Sequence, residues 1–300
     1  MSKHSDLVPC SKCGAPVLTN LAECMFCGQK DPGKMGANAI GRRLLTVKYN
    51  LQKRRRNTER NLRNVELPSW MQPLDEIGAT TNLFIIVCVA LYVVALVFDA
   101  LGAGGTAGGV LSPSGEILAR MGMAGRAPVQ TGRPWGLLTA IYLHANVLHL
   151  LGNMIVLWRF GNSVETLFGR TQYFLIFTIS GLFGTIFTTL LGTFASVGAS
   201  GAIFGLLGAL VYYWLQDGSP YGRMMMRQIA VFAVVIFLLG ATTPNVDNPG
   251  HLGGFIGGIA TAYLLRNNPY PSTHPVYVRA AQVCLGLTLI AFLLSAIIPV

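Results

Sequence analysis

Residues 197–214 read VGASGAIFGLLGALVYYW. Ser200 stands between Ala199 and Gly201, and an apolar run follows at once with Gly201, Gly205 and Gly208 at helical spacing. Residues three and four apart share one helix face, and small residues there let a second membrane helix approach closely. With no charge before Asp217, the stretch predicts a membrane helix with a hydroxyl at its mouth. The fold therefore turns on whether another segment carries a base to that mouth.

The rest of the chain supports a membrane setting. Of 300 residues, 52% are hydrophobic and 11% are charged, against about 25% charged in soluble domains. The net charge of +10 is concentrated: 13 of the 22 Lys and Arg precede residue 70. That asymmetry excludes a reading of the whole chain as a nucleic-acid binder. The first 30 residues are polar and carry no apolar leader, so no cleavable signal peptide is expected. Apolar runs near the length that crosses about 30 Å of hydrocarbon fall at 81–101, 137–158, 172–193, 200–216, 227–242, 250–266 and 279–299. Seven spans follow, the fourth and fifth short.

Basic residues orient these spans, because short cytoplasmic loops are rich in Lys and Arg. With the N-terminus inside, the inside loops hold Arg159 and Arg170, Arg223 and Arg227, and Arg266 and Arg279, and the outside loops 194–199 and 243–249 hold none. The first outside loop, 102–135, runs against the trend with Arg120, Arg126 and Arg133. The balance places the N-terminus in the cytoplasm, the C-terminus outside, and Ser200 at the extracytoplasmic end of the fourth span. The linker over 36–78 contains KRRRNTERNLR, which suits contact with anionic lipid headgroups at about 1 kcal/mol per basic residue.

Residues 1–35 form a separate module. CSKC and CMFC bring Cys10, Cys13, Cys24 and Cys27, and two C-x-x-C pairs close a tetrahedron around one zinc ion. Gly14 and Gly28 follow the pairs, where a tight turn is needed. So small a module cannot bury enough core, and a metal would supply most of its folding free energy. The competing reading, two disulfides, suits an oxidising compartment. Whether the module docks a partner or only caps the N-terminus stays open. Cys88 and Cys284 stand alone in apolar runs and read as small buried hydrophobes.

Three of the five histidines, His144, His149 and His251, lie in or beside membrane segments, where ionisable groups are costly and commonly functional. His4 and His274 lie in polar stretches. In NVDNPGHLGGFIGG, residues 245–258, His251 opens the sixth span, on the Ser200 side, and Gly254 and Gly258 give it a small face. Packing that face on the Gly201 face would bring the imidazole to the hydroxyl as a base. In HANVLHLLGN, residues 144–153, His149 and Asn153 share a face and could donate to a developing oxyanion, with the Ser200 N–H as a further donor. On a continuous helix His144 would lie about 140° round from His149, which leaves it a structural or gating role. Asp247, four before His251, is a candidate orienting carboxylate, with a solvated loop aspartate as the alternative. The chain has no H-E-x-x-H metalloprotease motif and no pair of carboxylates within one span.

Taken together, WGLLTAIYLHANVLHLLGNM, FGNSVETLFG, GASG and GHLGGFIGG, in this order, resemble the rhomboid intramembrane serine proteases over about residues 79–270. The resemblance implies an all-α polytopic membrane protein: a six-helix rhomboid-like core over 79–270 and an additional seventh helix over 271–300, preceded by the zinc-ribbon-like module. It implies a Ser200–His251 dyad, oxyanion stabilisation by His149 and Asn153, Gly198 as the glycine of G-x-S-G, and Phe204 packed on the His251 ring. It implies a protein that cleaves transmembrane segments through an acyl-enzyme without a catalytic cofactor, and the inside-positive pattern with no transit peptide favours a multi-pass place in a plasma membrane over an organelle. The alternative is a protein of the same fold that binds such segments without cutting them. Two positions depart from the family. Gly136 follows Trp135 where an arginine that holds the first loop is common, Arg133 being the available substitute. Gly250 precedes His251 where alanine is common.

Overall fold

The computed structural model describes residues 7–10, 16–18, 22–25, 27–30, 78–102, 109, 111–192, 194–266 and 274–298. Cys13, His4, nearly all of the basic linker and the boundary near residue 270 lie outside the described residues. The chain divides into two compact units, Met1–Gln72 and Pro73–Val300. In the first, β1 (Leu7–Pro9) pairs antiparallel with β2 (Pro16–Leu18), in the register Leu7↔Leu18, Val8↔Val17, Pro9↔Pro16.

The second unit is helical. Its long helices are α1 (Ala79–Ala100), α5 (Val147–Phe168), α6 (Arg170–Leu191), α7 (Ser200–Asp217), α8 (Pro220–Thr242), α9 (Asn248–Arg266) and α10 (Pro275–Ile297). Short helices α2 (Gly115–Met121), α3 (Arg126–Gln130) and α4 (Gly136–Thr139) lie between α1 and α5. α1, α6, α8 and α10 are each long and apolar enough to cross a membrane. α7 and α9 carry more glycine and polar groups. They suit the interior, since most of α7 is buried.

One expected span is corrected. The apolar run 137–158 does not form one helix. α4 and the 3₁₀ turn after it, Gly136–Tyr142, meet α5 at 85°. Asn146 makes the break, because its side chain accepts from His149 N at 2.9 Å and so starts a new helix. The span then runs ten residues beyond 158. Arg159 therefore lies on α5, and Arg223 and Arg227 lie on α8 rather than in turns. The expected outside loop is itself folded: it carries α2 and α3, and Ala124 and Ser196 exchange backbone hydrogen bonds at 3.0 and 2.7 Å.

At the far end, α1, α5 and α6 meet around Gly161, where a Cβ would lie 2.5 Å from Tyr173 Oη and 2.6 Å from Thr81 Oγ1. Buried Glu165 accepts from Thr80 N and Oγ1 and from Arg170 Nε at 3.1 Å. This accounts for glycine and glutamate within FGNSVETLFG: a close helix crossing, locked by one satisfied carboxylate.

Candidate active site

Three main-chain fixtures position Ser200. Gly198 N donates to Ala140 O at 2.9 Å, Ser196 is tied to Ala124, and Ala199 lies fully buried before the first turn of α7. Gly198 has φ +140, and a Cβ there would lie 2.7 Å from His149 Cε1 and 2.8 Å from Nε2. Both facts require glycine two residues before the serine: the backbone conformation, and the room taken by the imidazole. As the first residue of α7, Ser200 has a backbone N–H with no intrahelical acceptor, at the positive end of the helix dipole.

α9 reaches Ser200 because both helices are bare at their crossing. A Cβ on Gly254 would overlap the Gly201 carbonyl, and one on Gly258 would overlap the Gly205 carbonyl. α6 joins the same seam: a Cβ on Gly184 would lie 2.9 Å from Gly250 O. The expected packing of the fourth and sixth spans is present, on the expected glycines.

His251 is buried, at 6% exposure, and stacks on Phe204 with centroids 4.4 Å apart and planes 15° apart. Its Nδ1 pairs with Asn248 Oδ1 at 3.2 Å. With that oxygen accepting, Nδ1 carries the proton and Nε2 presents its lone pair. Asp247 has other partners. One carboxylate oxygen accepts from Thr188 Oγ1 and the other from Gly250 N at 3.0 Å, so it caps α9 and ties it to α6. The orienting group is Asn248, which the sequence reading missed. The signal was its place three residues before His251, one helical turn back. The Thr188–Asp247 pair also accounts for Gly250, because a Cβ there would lie 2.8 Å from Thr188 Oγ1.

From α5, His149 and Asn153 line the same cavity, of about 790 Å³, as Ser200, Phe204 and His251. Asn153 Nδ2 donates to His149 O at 2.9 Å, which fixes the amide on the face it shares with His149. His144 precedes α5 instead of lying on it. Its buried ring is 5.2 Å from that of His149, edge to face, so it packs behind the donor histidine. The Ser200 hydroxyl is not hydrogen-bonded to the imidazole among the described residues. Such pairs commonly sit loose and tighten in the Michaelis complex. The arrangement combines a hydroxyl, a neutral imidazole, and side-chain and backbone donors in one cavity, the parts that acyl transfer needs.

In the loop before α4, Arg133 takes the loop-holding place. Its Nη1 donates to Ala119 O at 2.8 Å and its Nη2 to Arg120 O at 3.2 Å, with the guanidinium 5.6 Å from the Trp135 ring centroid. At Gly136 a Cβ would overlap the Met123 carbonyl, so no arginine fits there.

Comparison with known proteins agrees with this geometry. The family model of the rhomboid domain matches residues 131–268. RHOMBOID-like protein 5 of Arabidopsis thaliana is 32% identical over 223 residues, covering 70% of this chain and 72% of that protein. Rhomboid protease GluP of Bacillus subtilis is 37% identical over 154 residues, which cover 51% of this chain and 30% of the Bacillus protein. Putative rhomboid protease YdcA, also of Bacillus subtilis, is 32% identical over 138 residues, 45% of this chain and 69% of the relative. The chain is a multi-pass membrane protein and belongs to the rhomboid family.

Proposed function

We propose that this chain is an intramembrane serine endopeptidase that cleaves transmembrane segments of other membrane proteins. The observation that carries the reading is the convergence of Ser200, His251, His149 and Asn153 on one cavity. The Ser200 hydroxyl attacks the scissile carbonyl and its proton passes to His251 Nε2. The oxyanion receives hydrogen bonds from His149, Asn153 and the Ser200 N–H, each donor commonly worth a few kcal/mol. The tetrahedral intermediate collapses to an acyl-enzyme as the protonated imidazole gives its proton to the leaving amine. Water, deprotonated by the same imidazole, then releases the acid and restores the serine. Asn248 keeps the ring in the required tautomer throughout, and Phe204 holds its plane.

The substrate enters between α5 and α8. Val156 and Phe232 line both the active-site cavity and a second hollow of about 710 Å³ further along the same two helices. α8 buries only Gly222, Ile229 and Ala233 among its 23 residues, so it is loosely held and can admit a client helix. The distribution of Lys and Arg supports a plasma-membrane protein with a cytoplasmic N-terminus. Three spans, α1, α5 and α6, precede Ser200, which puts the hydroxyl at the opposite, extracytoplasmic side.

A fluorophosphonate probe tests the nucleophile. Purified chain in detergent is expected to gain one adduct, mapped by mass spectrometry to Ser200, and His251→Ala is expected to abolish labelling. Absence of labelling in a folded chain would favour a client-binding protein that does not cut.

A further inference from the structure

In the first unit, three cysteines cluster in space. Cys10, Cys24 and Cys27 place their sulfurs within 4.8 Å of one another, with Cys10 Sγ and Cys27 Sγ 3.7 Å apart. A disulfide would hold two sulfurs at about 2.05 Å. Thiolates about 2.3 Å from a tetrahedral zinc ion lie about 3.8 Å from each other. The observed separation therefore matches two ligands of one metal ion and not a covalent pair.

The surroundings agree. Cys10 and Cys24 are 3% and 1% exposed, and Cys27 packs on them. Cys10 and Cys24 are buried and Cys27 is half-buried against them. A two-stranded hairpin is marginal alone, and a bound metal ion would add to its stability. The turn after Cys24 is built to bring Cys27 back to it. Gly28 N donates to Cys24 O at 2.9 Å, Cys24 N donates to Gln29 O at 2.8 Å, and Gly28 takes φ +69. That backbone wraps around the sulfur cluster and needs glycine at the return.

We propose that Cys10, Cys24 and Cys27 bind one zinc ion as thiolates and that this ion holds the N-terminal hairpin folded. Cys13 lies outside the described residues, and the C-x-x-C spacing of the sequence makes it the candidate for the fourth ligand. The site is separate from the Ser200 cavity in chain and in chemistry, and its metal is structural.

The full-length chain, purified under reducing conditions without chelator, tests this by elemental analysis. The expected result is one zinc per chain, falling below about a tenth of that in a Cys24→Ser/Cys27→Ser variant, with Cys284→Ser as the unchanged control. Replacement by cobalt is expected to give the sulfur-to-metal charge-transfer bands of a tetrathiolate, lost in Cys13→Ser. A variant that does not fold is recognised by loss of its cooperative thermal unfolding transition in detergent and is replaced by the single Cys24→Ser chain, which is expected to lose zinc in the same way. Zinc absent from the reduced wild-type chain and not taken up from solution would overturn the proposal. So would iron in its place, or mass-spectrometric detection of disulfides among these four cysteines in protein isolated with thiols blocked at lysis.

Discussion

Gly198 sets the room for the His149 ring. A methyl group in its place meets the His149 ring at 2.7 Å and also forces a non-glycine residue into φ +140. Gly198→Ala is expected to lower the cleavage rate by about 100-fold or more, the usual cost of losing an oxyanion donor, while fluorophosphonate still reaches Ser200. Asn248 and Asp247 separate two roles that sequence spacing confuses. Asn248→Ala removes the partner of His251 Nδ1 and is expected to lower kcat about tenfold, with KM little changed. Asp247→Asn keeps an oxygen for Gly250 N and is expected to shift thermal stability more than kcat. The reverse pattern in steady-state kinetics and melting would assign the orienting role to the carboxylate. Ser200, His251, His149 and Asn153 were legible because polar groups are conspicuous in apolar runs. The Asn248–Nδ1 bond was not, because it depends on how the first turn of α9 closes.

The seam between α7 and α9 acts at the scale of the element. Gly201, Gly205, Gly254 and Gly258 let two backbones meet, and that contact brings His251 and Ser200 to one cavity. Gly254→Ala is expected to destabilise the chain by several degrees in detergent and to abolish labelling at Ser200, because overlap with the Gly201 carbonyl drives the helices apart. Gly286→Ala on α10 meets nothing within 4 Å and is expected to leave activity unchanged and add up to about 1 kcal/mol of stability. Small-residue spacing made this seam readable from the sequence. The break before α5 was not read, because hydropathy runs unbroken through GLLTAIYLHAN, residues 136–146, and only the capping role of Asn146 divides it. The same cap makes His149 a third-position residue of a new helix, which is what aims its ring at Gly198.

Across the whole second unit, the folded segment from α2 to α4 is held from two directions. Arg133 Nη2 and Ser295 Oγ, the latter near the end of α10, both donate to Arg120 O, at 3.2 and 2.6 Å. The seventh helix thus braces the folded loop, a role that its place outside the six-helix core did not suggest. Because the two donors share one acceptor, Arg133→Ala and Ser295→Ala are expected to be non-additive in a double-mutant cycle read by thermal unfolding. Each single loss leaves the carbonyl one donor, and the double loss leaves it none. The central claim is that Ser200 and His251 form the catalytic pair for peptide cleavage within the membrane. Its most direct test is cleavage of a single-span substrate in liposomes by the wild-type chain, Ser200→Ala and His251→Ala. The account predicts cleavage by the wild type and none by either variant, with all three folded to the same melting temperature within about 2 °C, a shift near 0.5 kcal/mol. Persistent cleavage by a folded Ser200→Ala or His251→Ala chain would contradict it.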